Sequence, residues 1–391
     1  MTAKIFSISI IGLNAELIEV EADISGGIPS FSIVGLADAA IKESKERVRS
    51  AIKNSGLTYP INKKIISLAP AEIRKQGSVL DLPIAVALLC ASKQLPSEVF
   101  YESVVVGELS LEGSTKEAKG ILPITEFAKK KGFKKIFLPY TNKFEAGMVD
   151  GIKIYAVRSL AELKDFCHGK NEIEKQNGGG MKLIDESDEY ECFAGICGLE
   201  SAKRGLIVGA AGFHNILMHG RPGGGKTVLA RAFRNILPRL SMIEAIEVAN
   251  IYSIVEGITA NARISSKRPF REIHHAASKI AIIGGGSNLK PGEITLAHKG
   301  VLFMDEINEF SKDTLDVLRQ PMEDGFIKIN RLKYSTVLPS EFILMAAMND
   351  CPCGAKDCKC TKKQILNYRN KISGPILDRM DIFMEIPRIS V

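Results

Sequence analysis

Apolar and polar residues alternate from the start of the chain, and the period of that alternation changes along it. MTAKIFSISIIGLNAELIEVEADI reads with period two, as strands with one buried face do. Ala39 to Ser55 switches to a helical period, with Ile41, Val48 and Ile52 on one face and charges opposite. Strands are predicted at Ile65–Leu68, Val104–Gly107 and Lys135–Pro139, and apolar helices at Leu82–Cys90 and Ile124–Lys131. Together they predict an α+β domain over 1–166 with no cluster of catalytic residue types. The pattern then breaks. HGKNEIEKQNGGGMKLIDESDE is polar, charged and carries Gly178 to Gly180, which predicts a flexible linker over 167–189. Beyond it, residues 190–391 contain short apolar runs that read as buried strands.

One of those runs, Asn215 to His219, leads into Gly220-Arg221-Pro222-Gly223-Gly224-Gly225-Lys226-Thr227, with a helix predicted over Val228–Ile236. This matches the G-x-x-x-x-G-K-[ST] phosphate-binding loop in its strand–loop–helix setting. A glycine-rich turn before a helix leaves backbone N–H groups to surround phosphate oxygens at the positive helix end. Lys226 then reaches the β- and γ-phosphates and Thr227 places its hydroxyl on Mg²⁺. Further on, Val301-Leu302-Phe303-Met304-Asp305-Glu306 is a buried-strand run ending in two acids. Asp305 is expected to hold Mg²⁺, directly or through water, and Glu306 to act on the attacking water as general base. ATP and Mg²⁺ are therefore the expected substrate and cofactor.

Charge and composition add less. The 391 residues carry a net charge of +7, which suits an acidic polymer as partner without requiring one. No apolar stretch approaches the roughly 18 residues a spanning helix needs. The N-terminus lacks the three-part pattern of a signal peptide, so a cytoplasmic location is expected. Of eight cysteines, Cys90, Cys167, Cys192 and Cys197 are scattered and read as reduced thiols. Cys351, Cys353, Cys358 and Cys360 crowd into CPCGAKDCKC. Two readings fit that spacing, a structural Zn²⁺ held by four thiolates or a set of free thiols, and the first needs Pro352 and Gly354 to curl the loop.

Several segments carry a family resemblance: GIPSFSIVGLADAAIKESKERVRSAIKNSG, INKKIISLAPAEIRKQGSVLDLPIA, RPFREIHHAASKIAIIGGGS, KPGEITLAHKGVLFMDEINEF and FILMAAMN. The chain resembles, over nearly its whole length, the ComM/YifB-type magnesium-chelatase-like AAA+ ATPases. The resemblance implies a Lon-protease-like (ribosomal S5 domain 2-like) α+β N-terminal domain, followed over 190–391 by a P-loop AAA+ α/β core with a parallel sheet. Aligned on the Lon motifs, however, Val79 stands at the nucleophile position and Leu122 at the lysine position, so peptidase chemistry is not expected. In the core, the resemblance makes Asn349 a sensor that orients water or touches the γ-phosphate; a plain strand terminator is the other reading. It makes Arg379, in SGPILDRMD, an arginine finger reaching the ATP of the next subunit, with Arg369 the competing candidate.

The same family implies a homo-oligomeric ring, hexameric, that acts on DNA as in branch migration during recombination and competence. Phe326–Leu338 becomes a pore hairpin and Ile283–Gly292 a glycine-rich pore insert, whose Lys290, Lys328, Arg331 and Lys333 hold phosphates without reading bases. Surface hairpins without a ligand are the alternative. His274 and His275 are read as packing or hydrogen-bonding groups rather than ligands. Against the family pattern, Arg221 replaces a common Pro, Asp350 follows the sensor Asn, and the helical lid is expected to be missing after Val391. That last departure keeps open a module that binds ATP without turning it over. A magnesium-chelatase-type subunit is the third reading.

Overall fold

The computed structural model describes every residue except 37, 73–74, 76, 174, 178–182, 185–192, 259–263, 287–288, 332–333, 356–357 and 388–391. It divides into two units, residues 1–182 with 252–263, and residues 183–251 with 264–391. This differs from boundaries at 166 and 190 in two ways. Residues 252–263 group with the first unit. The predicted linker also contains two short strands: Lys175–Asn177 pairs with Lys153–Val157, and Leu183–Ile184 pairs with Ile264–Ser265. Polar composition masks such strands, because an edge strand needs only its backbone groups paired. Gly178 to Gly180 and Cys192 lie outside the described residues.

The first unit is built on an eight-stranded mixed sheet. The alternating N-terminus forms its central hairpin, Thr2–Ile11 against Asn14–Ser25, and the period-two pattern buries Ile5, Ile18, Val20 and Ala22 on one face. The helix Ala39–Asn54 starts at Asp38, whose carboxylate accepts from the Ile41 N–H at 2.8 Å. Its buried face is Ile41, Val48 and Ile52. A second helix, Asp81–Ala91, is buried all round and packs on the hairpin and on the first helix, as a helix without a polar face must.

That buried helix carries a carboxylate at its first position. Asp81 is fully buried and accepts from Arg47 Nε at 2.7 Å, from Arg47 Nη2 at 3.1 Å and from the Ser44 hydroxyl. Burial pushes the Asp81 carboxyl above its usual range, against the downward pull of Arg47 and Ser44. Arg47→Ala should therefore cost about 3 kcal/mol by stranding a buried charge. The folded chain, with the raised pKa, keeps this proton to higher pH than the unfolded chain. Stability then falls as pH rises from about 4 through the raised value. The variant's deficit should accordingly be larger at pH 7 than at pH 5, which urea unfolding at both values will test. A deficit unchanged by pH would overturn the assignment to Asp81.

The second unit holds a five-stranded, all-parallel sheet in the spatial order Phe270–Ile273, Val301–Met304, Ile343–Met348, Ile216–His219, Ile382–Glu385. Val301–Met304 and Ile343–Met348 are buried throughout, which is why they read as unbroken apolar runs. Helices Glu200–Gly212 and Lys226–Ile236 pack Leu206, Leu229 and Phe233 with sheet residues Ile216, Met218, Phe303 and Met345. The chain leaves Ile216–His219 for the far edge, works back to its side, then crosses to Ile382–Glu385 on the other flank. That reversal is a topological switch point, and ligands of open α/β sheets bind at the carboxyl ends of strands there.

Candidate functional site

At the switch point the Ile216–His219 strand runs into the glycine-rich loop. Gly220 takes φ +153, and a Cβ there would lie 2.3 Å from the Ile386 carbonyl oxygen, so only glycine lets the loop leave the strand this close to its neighbour. The helix begins at Lys226, two residues before the sequence-predicted Val228, because Gly225 supplies the left-handed cap that starts it. Lys226 is buried, and its Nζ donates to Gly220 O at 2.8 Å, Arg221 O at 3.1 Å and Asn349 Oδ1 at 3.2 Å. Burial lowers the Lys226 pKa, while Asp305, Asp350 and Glu306 pull the other way. The ammonium thus faces carboxylates it does not directly bond. Arg221, Pro222 and Gly223 are exposed.

Thr227 donates its hydroxyl to Asp305 Oδ2 at 2.8 Å, and Asp305 Oδ1 accepts the Glu306 N–H at 2.9 Å. Both oxygens of Asp305 are therefore fixed by the chain's own groups. Glu306 sits at φ +50, which turns the chain sharply after the strand and leaves its side chain exposed. A cleft of about 500 Å³ opens beside it, lined by Glu272, Ile273, His274, His275, Asp305 and Glu306. Sequence reading left the histidines outside the site. Strand register brings them in: Ile273 pairs with Met304, so His274 and His275 leave their strand beside Asp305 and Glu306. Their rings pack 4.1 Å apart. His219 also escaped notice; its Nδ1 lies 3.2 Å from Asp350 Oδ1.

Asn349 is thus brought to the loop lysine. The two candidate arginines are placed differently. Arg379 is half-buried, with Nη1 donating to Pro375 O and Nη2 paired with Glu323, while its Nε is buried without a partner. Arg369, at the end of helix Lys362–Arg369, is exposed. The predicted hairpin exists as Phe326–Arg331 against Tyr334–Pro339, with Lys328 exposed on it and stacked 5.2 Å from the Phe326 ring. Lys290 is exposed on the short hairpin Gly284–Gly285 with Lys290–Pro291. A Cβ on Gly285 would lie 3.7 Å from Ile329, so the two hairpins are neighbours. Lys333 and the Arg331 side chain lie outside the described residues.

The four clustered cysteines converge. Their sulfurs all lie within 4.8 Å of one another, with Cys351–Cys353 at 3.4 Å, Cys353–Cys358 at 3.7 Å and Cys358–Cys351 at 3.4 Å. A tetrahedron of Zn–S bonds of about 2.3 Å has edges near 3.8 Å. The Ala355 N–H, ahead of neighbouring sulfurs, draws the Cys353 thiol down to about 6, while burial raises Cys351. The donor set and its size fit a thiophilic divalent cation. Lys356 lies outside the described residues, and no helix among the described ones is long and apolar enough to cross a membrane.

Residues 192–391 match the family model described as "Magnesium chelatase, subunit ChlI", and residues 20–142 match "Subunit ChlI of Mg-chelatase". The protein YifB of Escherichia coli (strain K12) is 42% identical over 380 residues, covering 96% of this chain and 74% of that protein. Competence protein ComM of Haemophilus influenzae is 38% identical over 397 residues, covering 98% of this chain and 76% of that one. Lon protease 2 of Bacillus subtilis is 26% identical over 169 residues, 39% of this chain and 30% of that protein. With identities of this size running through both units, the chain belongs to the YifB/ComM family of magnesium-chelatase-like proteins.

Proposed function

We propose that this chain is a Mg²⁺-dependent ATPase of the AAA+ class, with a P-loop core and a Lon-like N-terminal domain, that works on DNA as a hexameric ring. One observation carries the nucleotide reading. A buried ammonium, a threonine hydroxyl, an aimed carboxylate and an amide side chain meet at the carboxyl edge of a parallel sheet, over a glycine loop. Backbone N–H groups at the start of the Lys226–Ile236 helix surround the phosphates. Lys226 exchanges its loop carbonyls for β- and γ-phosphate oxygens. Thr227 and Asp305 hold Mg²⁺, which when bound neutralises charge across the two phosphates. Glu306 takes the proton of the attacking water, Asn349 orients that water, and Arg379 of a neighbouring subunit stabilises the charge of the transferred group. Cys351, Cys353, Cys358 and Cys360 hold a structural Zn²⁺.

DNA is the proposed partner. Lys290 and Lys328 are exposed on adjacent hairpins, and Arg331 and Lys333 belong to the same segment. The competence name of the Haemophilus relative points the proposal toward recombination of incoming DNA, in the cytoplasm. A chelatase subunit is the second reading, favoured by the descriptions of the matching family models. Calorimetry should detect Mg-ATP uptake by the parent chain. Lys226→Ala should weaken it about 10- to 100-fold, the equivalent of one lost set of charge-assisted hydrogen bonds. Heatless titration of a folded parent would remove the nucleotide reading. Phosphate release unaffected by branched DNA, with nucleotide bound, would remove the DNA reading and leave the chelatase one.

A further inference from the structure

We infer that the four-cysteine cage clamps the glycine-rich loop, so that metal bound in the cage and nucleotide bound at the loop raise each other's affinity. The inference rests on the zinc reading above and goes beyond it, since a structural zinc need have no tie to the nucleotide.

The tie is made by consecutive residues at the end of the Ile343–Met348 strand. Asn349 accepts from the loop lysine, Lys226, at 3.2 Å. Asp350 meets His219, the residue before Gly220, at 3.2 Å. Cys351 follows at once and is buried as the cage's first arm. Pro352 and Cys353 then turn the chain, and Gly354 takes φ +57. There a Cβ would come 2.9 Å from Pro222 Cγ, so the backbone of the cage lies directly on the loop's exposed stretch. The base of the loop, its lysine and its tip are thus each touched within six residues of one strand end, 349–354.

Little else holds that tip. Positions 223 and 225 have nothing within 4 Å of where a side chain would start. On the opposite flank, Gly220 and Gly224 rest on Ile386. The loop is therefore held between Ile386, which directly follows the Ile382–Glu385 strand and donates its N–H to His219 O at 2.7 Å, and Gly354, in the segment after Met348 that has no regular secondary structure. Thiol–thiol hydrogen bonds are too weak to fix such a segment, whereas four metal–thiolate bonds do so. Fixing Cys351 and Cys353 fixes the amide, carboxylate and glycine positions that the loop leans on.

The full chain, purified under reducing conditions, is assayed for zinc by elemental analysis and for binding of a fluorescent ADP with Mg²⁺. Expected are one zinc per chain, ADP binding weakened about tenfold in chelator-stripped protein, and zinc held about tenfold more tightly against a competing chelator at equilibrium when ADP is present. Linkage requires the two effects to agree in size. Gly354→Ala should keep its zinc yet weaken ADP, and adding Pro222→Ala should recover most of that loss by removing the atom the new methyl meets. Well under one zinc per chain after growth in zinc-supplemented medium overturns the zinc reading. Stripped protein that stays folded by circular dichroism and binds ADP as before overturns the clamp alone. Should stripping unfold the chain, the Gly354→Ala and Pro222→Ala pair decides, and additive effects overturn the clamp.

Discussion

Glu306→Gln is expected to lower kcat for ATP hydrolysis by about 10²–10⁴-fold, the usual contribution of a positioned general base, while Mg-ATP affinity stays within a few-fold. The geometry separates the two acids' tasks. Asp305 spends one oxygen on Thr227 and the other on the Glu306 N–H, which suits the cation-ligand role proposed for it rather than that of a base. Glu306 is turned out by its left-handed backbone into the cleft that His274 and His275 also line. Glutamine keeps the shape of the side chain and removes only its ability to take a proton. Phosphate release measured with branched DNA present, beside calorimetric ATP binding, reads both halves. If parent and variant release phosphate at the same low rate while binding ATP alike, the chain is a nucleotide-binding module that does not turn over.

Much of the fold could be read from local pattern, because local pattern is what a single buried face imposes. Period two forces the Thr2–Ile11 and Asn14–Ser25 hairpin. The helical stripe of Ile41, Val48 and Ile52 forces the helix they line. The glycine loop was legible for a different reason, since close backbone approach at Gly220 and the turn at Gly225 leave almost no other residue type possible. What escaped depends on partners far along the chain. Phe270–Ile273 reads FREI, with two charges in four residues, and gives no strand signal of its own. It is an edge strand fixed by pairing with Val301–Met304, and so the histidines after it joined the cleft unannounced. Likewise the grouping of 252–263 with the first unit follows from long-range contacts such as the Ser253 hydroxyl on Glu145 at 2.5 Å. No period in the sequence encodes that contact.

Arg379→Ala should reduce ATP hydrolysis about 10³–10⁵-fold, the range of a finger that stabilises charge on a transferred phosphoryl group, with nucleotide affinity nearly unchanged. In the single chain Arg379 is held by Glu323 and the Pro375 carbonyl, so the proposal requires that pairing to be exchanged for the neighbour's nucleotide. Such an exchange is inexpensive. Glu323 is half-exposed, and ion pairs in that setting contribute about 0–1 kcal/mol. Removing the arginine should therefore leave thermal stability almost untouched, and Glu323→Ala should keep or raise the rate by releasing it. Arg369→Ala is the control, because Arg369 is already exposed and competes for the role. A collapse of rate in that variant, with Arg379→Ala active, would reassign the finger. Mixing gives the stricter test of action between subunits. Chains carrying Glu306→Gln keep the arginine and chains carrying Arg379→Ala keep the base, so a mixed ring contains interfaces with both groups intact. Activity should reappear on mixing two inactive proteins, and its failure to do so, in rings confirmed to have exchanged subunits, would place the arginine's effect within its own chain.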